Sequence, residues 1–327
     1  MSNSIKRIAV MTSGGDSPGM NAAIRAVVRA GLYHGLEVYG IRRGYEGMIE
    51  GDLFPMVSNS VSNIIQRGGT ILKTARSERF RTVEGRKIAH DNLSKLGIDA
   101  VVAIGGDGTF SGALQFHKEY NIPFIGIPGT IDCDLYGTDY TLGFDTALNT
   151  VVDAIDKIRD TADSHDRLFF VEVMGRDAGF IALYSGIAGG AEAILIPESK
   201  TDGDSLLKIL SDGTKRNKSS MIVVVAEGDD GGGAYHVAEM VKQKFDIYDI
   251  RVSVLGHIQR GGSPSCTDRV LGSRMGVAAV DALIAGRQQI MIGIVNNHIH
   301  YTSLEKAVKH NQDIDVNFFR LSEILSS

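Results

Sequence analysis

Short apolar runs rich in β-branched residues recur along the chain at 8–11, 38–41, 100–104, 123–127, 168–173, 193–196, 221–226 and 252–255, with segments of helical period between them. Runs that are apolar throughout suit strands buried on both faces of a sheet. The intervening stretches 22–34, 84–96, 109–120 and 146–160 read as helices. In the last of these, Leu148, Val151, Val152, Ile155 and Ile158 fall on one face. Strand and helix in alternation predict an α/β protein with parallel sheets wrapped by helices. A length of 327 residues exceeds the roughly 250–300 at which a single core stops growing, so two domains are expected, dividing near Gly143. The stretch 229–233 reads as a flexible surface loop.

Composition narrows the function classes. The chain holds 39 glycines in 327 residues, nearly twice the usual share of about 7%, and many are paired directly after apolar runs. Glycine there lets backbone approach a ligand. A net charge of −5 gives no electrostatic footprint for nucleic acid or an anionic membrane, so any phosphate site has to be locally basic. Two cysteines, Cys133 and Cys266, are too few for a disulfide framework, and the first residues fit neither a signal peptide nor a spanning helix. A cytoplasmic location is the expectation.

The unusual residues cluster at strand ends. SGGDSPGMN follows the first run, GGDGT the run at 100, PGTIDCD the run at 123, MGRDAG the run at 168 and HIQRGG the run at 252. In open α/β sheets, ligands bind at the carboxyl ends of the strands, so five motifs converge on one side. In the first, Gly14 and Gly15 free the backbone for an anion beside a helix N-terminus near Asn21, although a turn capped by Asp16 or Ser17 explains the string equally well. In GGDGT, Thr109 opens a helix whose amides face phosphates, and Asp107 offers a carboxylate suited to Mg²⁺. The same string occurs in kinases for NAD and diacylglycerol, so it names a ligand class and not a substrate.

PGTIDCD sets Thr130, Asp132 and Asp134 in one loop, where one carboxylate can serve as a base and the other orient it; an Asx-turn is the plainer reading. MGRDAG and HIQRGG each deliver a glycine-flanked arginine, Arg176 and Arg260, with His257 nearby, and guanidinium matches phosphate oxygens in pairs. Glu227 follows the run at 221 and can accept from sugar hydroxyls. Arg25 and Arg29 lie one helical turn apart. There is no P-loop, no strict G-x-G-x-x-G and no zinc spacing.

Together, in this order and spacing, the motifs resemble the bacterial ATP-dependent 6-phosphofructokinases from SGGDSPGMNAAIR to the last helix. The resemblance implies two similar Rossmann-like domains: an ATP and Mg²⁺ domain of residues 1–143 plus about 258–308, and a fructose 6-phosphate domain of about 144–257 plus 309–327. It implies phosphoryl transfer to the sugar's 1-hydroxyl, a homotetramer, and an active site shared between subunits. Gly15, Arg76, Ser77, Gly106, Asp107, Gly108 and Thr109 would surround ATP, with Asp107 helping to hold Mg²⁺. Asp132 would be the general base, Thr130 would flank the transferred group and Arg176 would neutralise the transition state. Met174, Gly175, Glu227, His257 and Arg260 would contact the sugar phosphate, joined from a neighbouring subunit by Arg167 and Arg251. Effector phosphates would meet Arg25, Arg29, Arg159, Glu192, Arg216 and Lys218.

Two departures from the family pattern bear on this. Cys133 stands where asparagine is usual, with the expected loss of a local hydrogen bond and sensitivity of the thiol to oxidation. Asp52 aligns with an arginine of the effector site, which predicts weak or altered control by ADP and phosphoenolpyruvate. Pyrophosphate-dependent relatives carry Asp and Lys at the positions of Gly108 and Gly129, so glycine at both favours ATP. A sugar-phosphate binding module would need neither Asp107 nor Asp132, and a dehydrogenase would need the missing dinucleotide fingerprint.

Overall fold

The structure is a computed structural model that describes residues 5–216, 218, 220–245 and 247–326. Two compact units divide the chain. The first runs to Ile131 and adds Leu135–Thr146 and Arg260–Gln312; the second comprises Asp132–Asp134, Ala147–Gln259 and the residues from Asp313 onward. Asp132–Asp134 group with the second unit before the chain returns to the first as far as Thr146.

The first unit contains β1 (Arg7–Thr12), α1 (Met20–Tyr33), β2 (Glu37–Ile41), α2 (Gly44–Glu50), β3 (Leu53–Met56), α3 (Val83–Lys95), β4 (Ala100–Gly105), α4 (Asp107–Tyr120) and β5 (Phe124–Pro128). A long helix, α5 (Phe144–Asp163), starts here and continues into the second unit. That unit follows with β6 (Arg167–Val173), α6 (Phe180–Ala188), β7 (Ala193–Leu195), α7 (Gly203–Lys215), β8 (Met221–Ala226), α8 (Gly233–Lys242) and β9 (Asp249–Val254). The chain then gives the first unit α9 (Cys266–Ile284), β10 (Ile290–Val295), β11 (His298–Ser303) and α10 (Leu304–Lys309), and ends with α11 (Val316–Ser326).

In the first unit the strands form one sheet in the order β11-β10-β5-β4-β1-β2-β3, parallel except for β3 and β11 at its edges. Side chains alternate across a strand. Ile8 and Val10 therefore pack with Ile24, Val27, Met275 and Ala279 of α1 and α9, while Ala9 and Met11 face Leu93, Phe110 and Phe116 of α3 and α4. Each fully buried large side chain contributes roughly 1.5–3 kcal/mol. Three strands fall outside the apolar runs read from the sequence: β3 contains Pro55, β10 is interrupted by Gly293, and β11 is half polar. Proline and polar alternation are characteristic of sheet edges.

The second unit holds a four-stranded parallel sheet, order β7-β8-β6-β9. Leu168, Phe170, Met221, Val223 and Val225 pack with Leu206 and Leu210 of α7 and Val237 and Val241 of α8. Its edge strand departs from the expectation of burial on both faces. β9 begins at Asp249 and leaves Asp249, Arg251 and Val254 exposed. The stretch 229–233 is not a loose loop either. Buried Asp229 accepts hydrogen bonds from the Thr201 hydroxyl and, at 3.2 Å, the Gly231 N–H, fixing the turn into α8.

Candidate active site

In the first sheet the connections from β1 lead towards β2 on one side, while β4 and β5 lie on the other, so the strand order reverses between β1 and β4. That crevice at the carboxyl ends is where an open α/β sheet binds ligands. Both glycine loops of the first unit meet there: the Ser13 N–H donates to the Ile104 carbonyl (3.0 Å), and the Thr109 hydroxyl donates to the Ser13 carbonyl (3.1 Å). Thr109 is buried, and its own carbonyl accepts from the Tyr45 hydroxyl. Burial pushes the Tyr45 phenol well up.

α4 begins directly after β4, so the positive end of its dipole opens at the crevice, and Asp107 in its first turn is exposed there. Gly108 is exposed too, and a Cβ placed on it would meet nothing within 4 Å. Gly129 differs: a Cβ there would come within 3.0 Å of both Ile104 and Met20, so a longer side chain has no room without repacking. The Arg260 guanidinium lies against Gly15, with Nη1 only 2.6 Å from where a Cβ would sit, so any side chain there would have to displace the arginine's end. Arg260 also donates to the Asp16 carbonyl at 3.3 Å. The structure therefore brings Arg260, expected with the sugar, against the first glycine loop. Arg76 is exposed, whereas the Ser77 hydroxyl is engaged with Glu46 and accepts from the Phe80 N–H (3.1 Å).

Within the second unit, β6, β8 and β9 end side by side, with Val173 opposite Ala226 and Glu172 opposite Val254. The loop after β6 turns sharply: Gly175 has φ 145° and Arg176 φ 56°, in the left-handed region that a non-glycine residue occupies at a cost of about 1–2 kcal/mol. Glu227 holds it there. Its Oε1 accepts from the backbone N–H of Arg176 (2.8 Å) and Gly175 (3.3 Å). Gln259, which sequence reasoning missed, is fully buried; its Oε1 accepts from the Met174 N–H (3.2 Å) and its Nε2 donates to the Gly256 carbonyl (3.0 Å). One amide thus ties the Met174–Arg176 loop to the turn that carries His257, which is exposed.

Thr130 and Asp132 are both buried, at 8% and 7% exposure, and the chain passes from the first unit to the second between Ile131 and Asp132. The Thr130 carbonyl accepts from the Thr141 hydroxyl (2.6 Å). Cys133 has φ 56° and is 3% exposed, so the expected sensitivity to oxidation is not supported: the thiol is shielded, and Cys266 is the exposed cysteine. The left-handed region favours glycine and asparagine, which gives a backbone reason for asparagine at this position. Just beyond the loop, Asp268 of α9 is another carboxylate that sequence reasoning missed. It is fully buried and accepts from the Gly143 N–H (2.8 Å) and from the Thr146 N–H (2.9 Å) and hydroxyl (2.5 Å). Burial pushes its carboxyl up, against those hydrogen bonds.

Among the expected effector residues, Arg159 donates to the carbonyls of Gly189 (2.6 Å) and Gly190 (2.8 Å), and Lys218 pairs with buried Glu192 at 3.2 Å. Arg159 also lines a surface cavity of about 470 Å³ with Asp160, Asp163 and Ser220. Arg216 ends α7 at its C-cap in the same unit, while Arg25 and Arg29 lie on α1 in the first. Asp52 is paired with Arg42 (3.2 Å) and Arg43 (3.4 Å), so its charge is answered within its own loop, which weakens the expectation that it repels an effector.

Comparison with known proteins agrees with the α/β fold. The family model for phosphofructokinase matches residues 7–283. An ATP-dependent 6-phosphofructokinase of Bacteroides thetaiotaomicron is 56% identical over 322 residues, covering 98% of this chain and 99% of the relative. One from Thermus thermophilus is also 56% identical, covering 98% of this chain and all of that protein. Among solved structures, the phosphofructokinase of Saccharomyces cerevisiae superposes with a TM-score of 0.89 at 38% identity, over 98% of this chain and 48% of the longer yeast chain. A pyrophosphate-dependent phosphofructokinase of Marinobacter aquaeolei gives 0.84 at 25% identity, over 96% of this chain and 86% of that one. The chain belongs to the phosphofructokinase family.

Proposed function

We infer that this chain transfers the γ-phosphoryl group of ATP to the 1-hydroxyl of D-fructose 6-phosphate, giving fructose 1,6-bisphosphate and ADP, a step of glycolysis. The observation that carries this reading is the meeting of two glycine loops at the β1–β4 reversal, with α4 opening towards them and unobstructed space at Gly108. Backbone amides at a helix N-terminus suit phosphates. The near full-length relatives at 56% identity support ATP as the donor.

In this account Gly15, Arg76, Ser77, Gly106, Gly108 and Thr109 form the nucleotide site. Ser77 contributes mainly by holding its own turn, since its hydroxyl is engaged with Glu46 and Phe80. Asp107, a single exposed carboxylate at the mouth of α4, suits a Mg²⁺ ion shared with the nucleotide's phosphates, because Mg²⁺ commonly takes one or two carboxylates and fills its shell with phosphate and water oxygens. That ion supplies charge neutralisation on the donor. Asp132 takes the proton from the sugar's 1-hydroxyl, Thr130 orients the transferred group, and Arg176 stabilises its developing charge. Phosphoryl transfer asks the protein chiefly for such positioning and neutralisation.

Glu227 has two tasks. It meets the sugar, and through the Gly175 and Arg176 amides it sets the loop that presents Met174 and Arg176. His257 and Arg260 hold the sugar phosphate, with Arg167 and Arg251 coming from a neighbouring copy of a homotetramer. Arg25, Arg29, Arg159, Glu192, Arg216 and Lys218 form an effector-phosphate site. The protein works in the cytoplasm; among the described residues no helix is long and apolar enough to cross a membrane. A coupled assay for fructose 1,6-bisphosphate with ATP, Mg²⁺ and fructose 6-phosphate tests the reading, and absence of product from folded protein overturns it.

A further inference from the structure

Asp249 sits between two arginines. In the parallel pairing of β6 with β9, Arg167 is the register partner of Asp249, and Arg251 follows two residues later, on the same side of the edge strand. One carboxylate oxygen, Oδ2, accepts from Arg167 Nε (3.1 Å), Arg251 Nε (3.0 Å) and Arg251 Nη2 (2.7 Å). Both Nη groups of Arg167 and Nη1 of Arg251 have no hydrogen-bond partner among the described residues. Without a carboxylate between them, two guanidiniums this close repel and swing apart. With it, their Nε edges are fixed and three Nη groups remain side by side on the neighbouring strands β6 and β9. Although burial pushes the Asp249 carboxyl up, the hydrogen bonds from Arg251 and Arg167 hold it below its usual value, so it is ionised at any physiological pH.

We propose that Asp249 is a positioning residue that holds Arg167 and Arg251 as one clamp for the phosphate of the sugar substrate. The proposal rests on the reading of those two arginines as sugar-phosphate ligands. It makes a prediction opposite to that of simple charge counting. Removing an acid beside two phosphate-binding arginines raises the local positive charge and, if Asp249 merely competes with the phosphate, tightens binding. If Asp249 sets their geometry, its removal weakens binding, because planar guanidinium recognition depends on orientation.

The test compares Asp249→Ala and Asp249→Glu with the parent enzyme in full saturation curves. Asp249→Ala is expected to raise KM for fructose 6-phosphate by about 5- to 50-fold while leaving kcat and KM for ATP within about twofold. Asp249→Glu, which keeps the charge and acceptor, is expected to recover most of the loss. In an Arg251→Ala background, adding Asp249→Ala should cost markedly less than it does alone, since part of what it positions is gone. A KM for fructose 6-phosphate that is unchanged or lower in a folded Asp249→Ala variant overturns the proposal. The reading beneath it fails separately: an Arg251→Ala enzyme with an unmoved fructose 6-phosphate curve removes the clamp altogether.

Discussion

Replacing Gly108 separates the stability of the fold from the fit of the donor. Gly108 is the second residue of α4, its φ is negative, and a Cβ there meets nothing within 4 Å. Glycine in a helix is therefore a cost with no structural return. Alanine should stabilise the protein by about 0.5–1 kcal/mol, which for a domain of this size raises Tm by about 1–4 °C. Aspartate adds an acid to the first helical turn, worth about 0.3–1 kcal/mol against the dipole and offset in part by repulsion from Asp107 beside it, so the fold should be indifferent or slightly favoured.

Donor binding responds in the opposite sense. A carboxylate about 5 Å from a nucleotide phosphate, at an effective dielectric near 20, meets roughly 3 kcal/mol of repulsion. Allowing for screening by Mg²⁺, a penalty of about 2–3 kcal/mol weakens ATP about 30- to 150-fold. Alanine adds bulk without charge and should fall between parent and aspartate. Thermal unfolding and ATP saturation curves for the three proteins are the assay. An Asp variant that melts no lower than the parent yet keeps its ATP kinetics refutes the placement of phosphates at α4.

Asp132→Ser should lower kcat by about 10²–10⁴ with KM for fructose 6-phosphate little changed, measured by steady-state kinetics on folded protein. Asp268→Ala strands the buried amides of Gly143 and Thr146 and should cost about 2–4 kcal/mol in denaturant titration. Because burial raises the Asp268 carboxyl in the folded state, its contribution is fully present below the ordinary range near pH 4 and is lost as pH rises through the folded value. The stability gap between parent and Asp268→Asn should accordingly narrow as pH rises above the ordinary carboxylate range. Cys133→Asn relieves a left-handed strain on a residue with φ 56° and should raise Tm by about 1–4 °C with turnover retained; a lower Tm would argue that the thiol's packing outweighs the backbone gain.

Those parts of the fold and site that depend on one-dimensional pattern were legible in the sequence. Strands buried on both faces, such as Ala100–Gly105 and Met221–Ala226, are apolar runs and need no context. Edge strands escaped because their pattern mixes polar residues with apolar ones, as His298–Ser303 does, or is cut by proline, as in Leu53–Met56. Glycine strings at strand ends marked the loops that carry Asp107, Asp132 and Arg176. The residues that hold those loops were not legible. Gln259, Asp249 and Asp268 act through partners 85, 82 and 125 positions away, and nothing local distinguishes them from ordinary polar residues. The strain at Cys133 and Arg176 is likewise a property of backbone angles, invisible until the chain is folded.

The central claim is that this site takes its phosphoryl group from ATP and gives it to fructose 6-phosphate. Initial rates of fructose 1,6-bisphosphate formation, with Mg²⁺ and either ATP or pyrophosphate at equal concentration, test it most directly. We expect kcat/KM with ATP at least about 100-fold above that with pyrophosphate, because open, uncharged space at Gly108 admits a nucleotide and a longer side chain at Gly129 would press on Ile104 and Met20. Equal or faster turnover with pyrophosphate would contradict it.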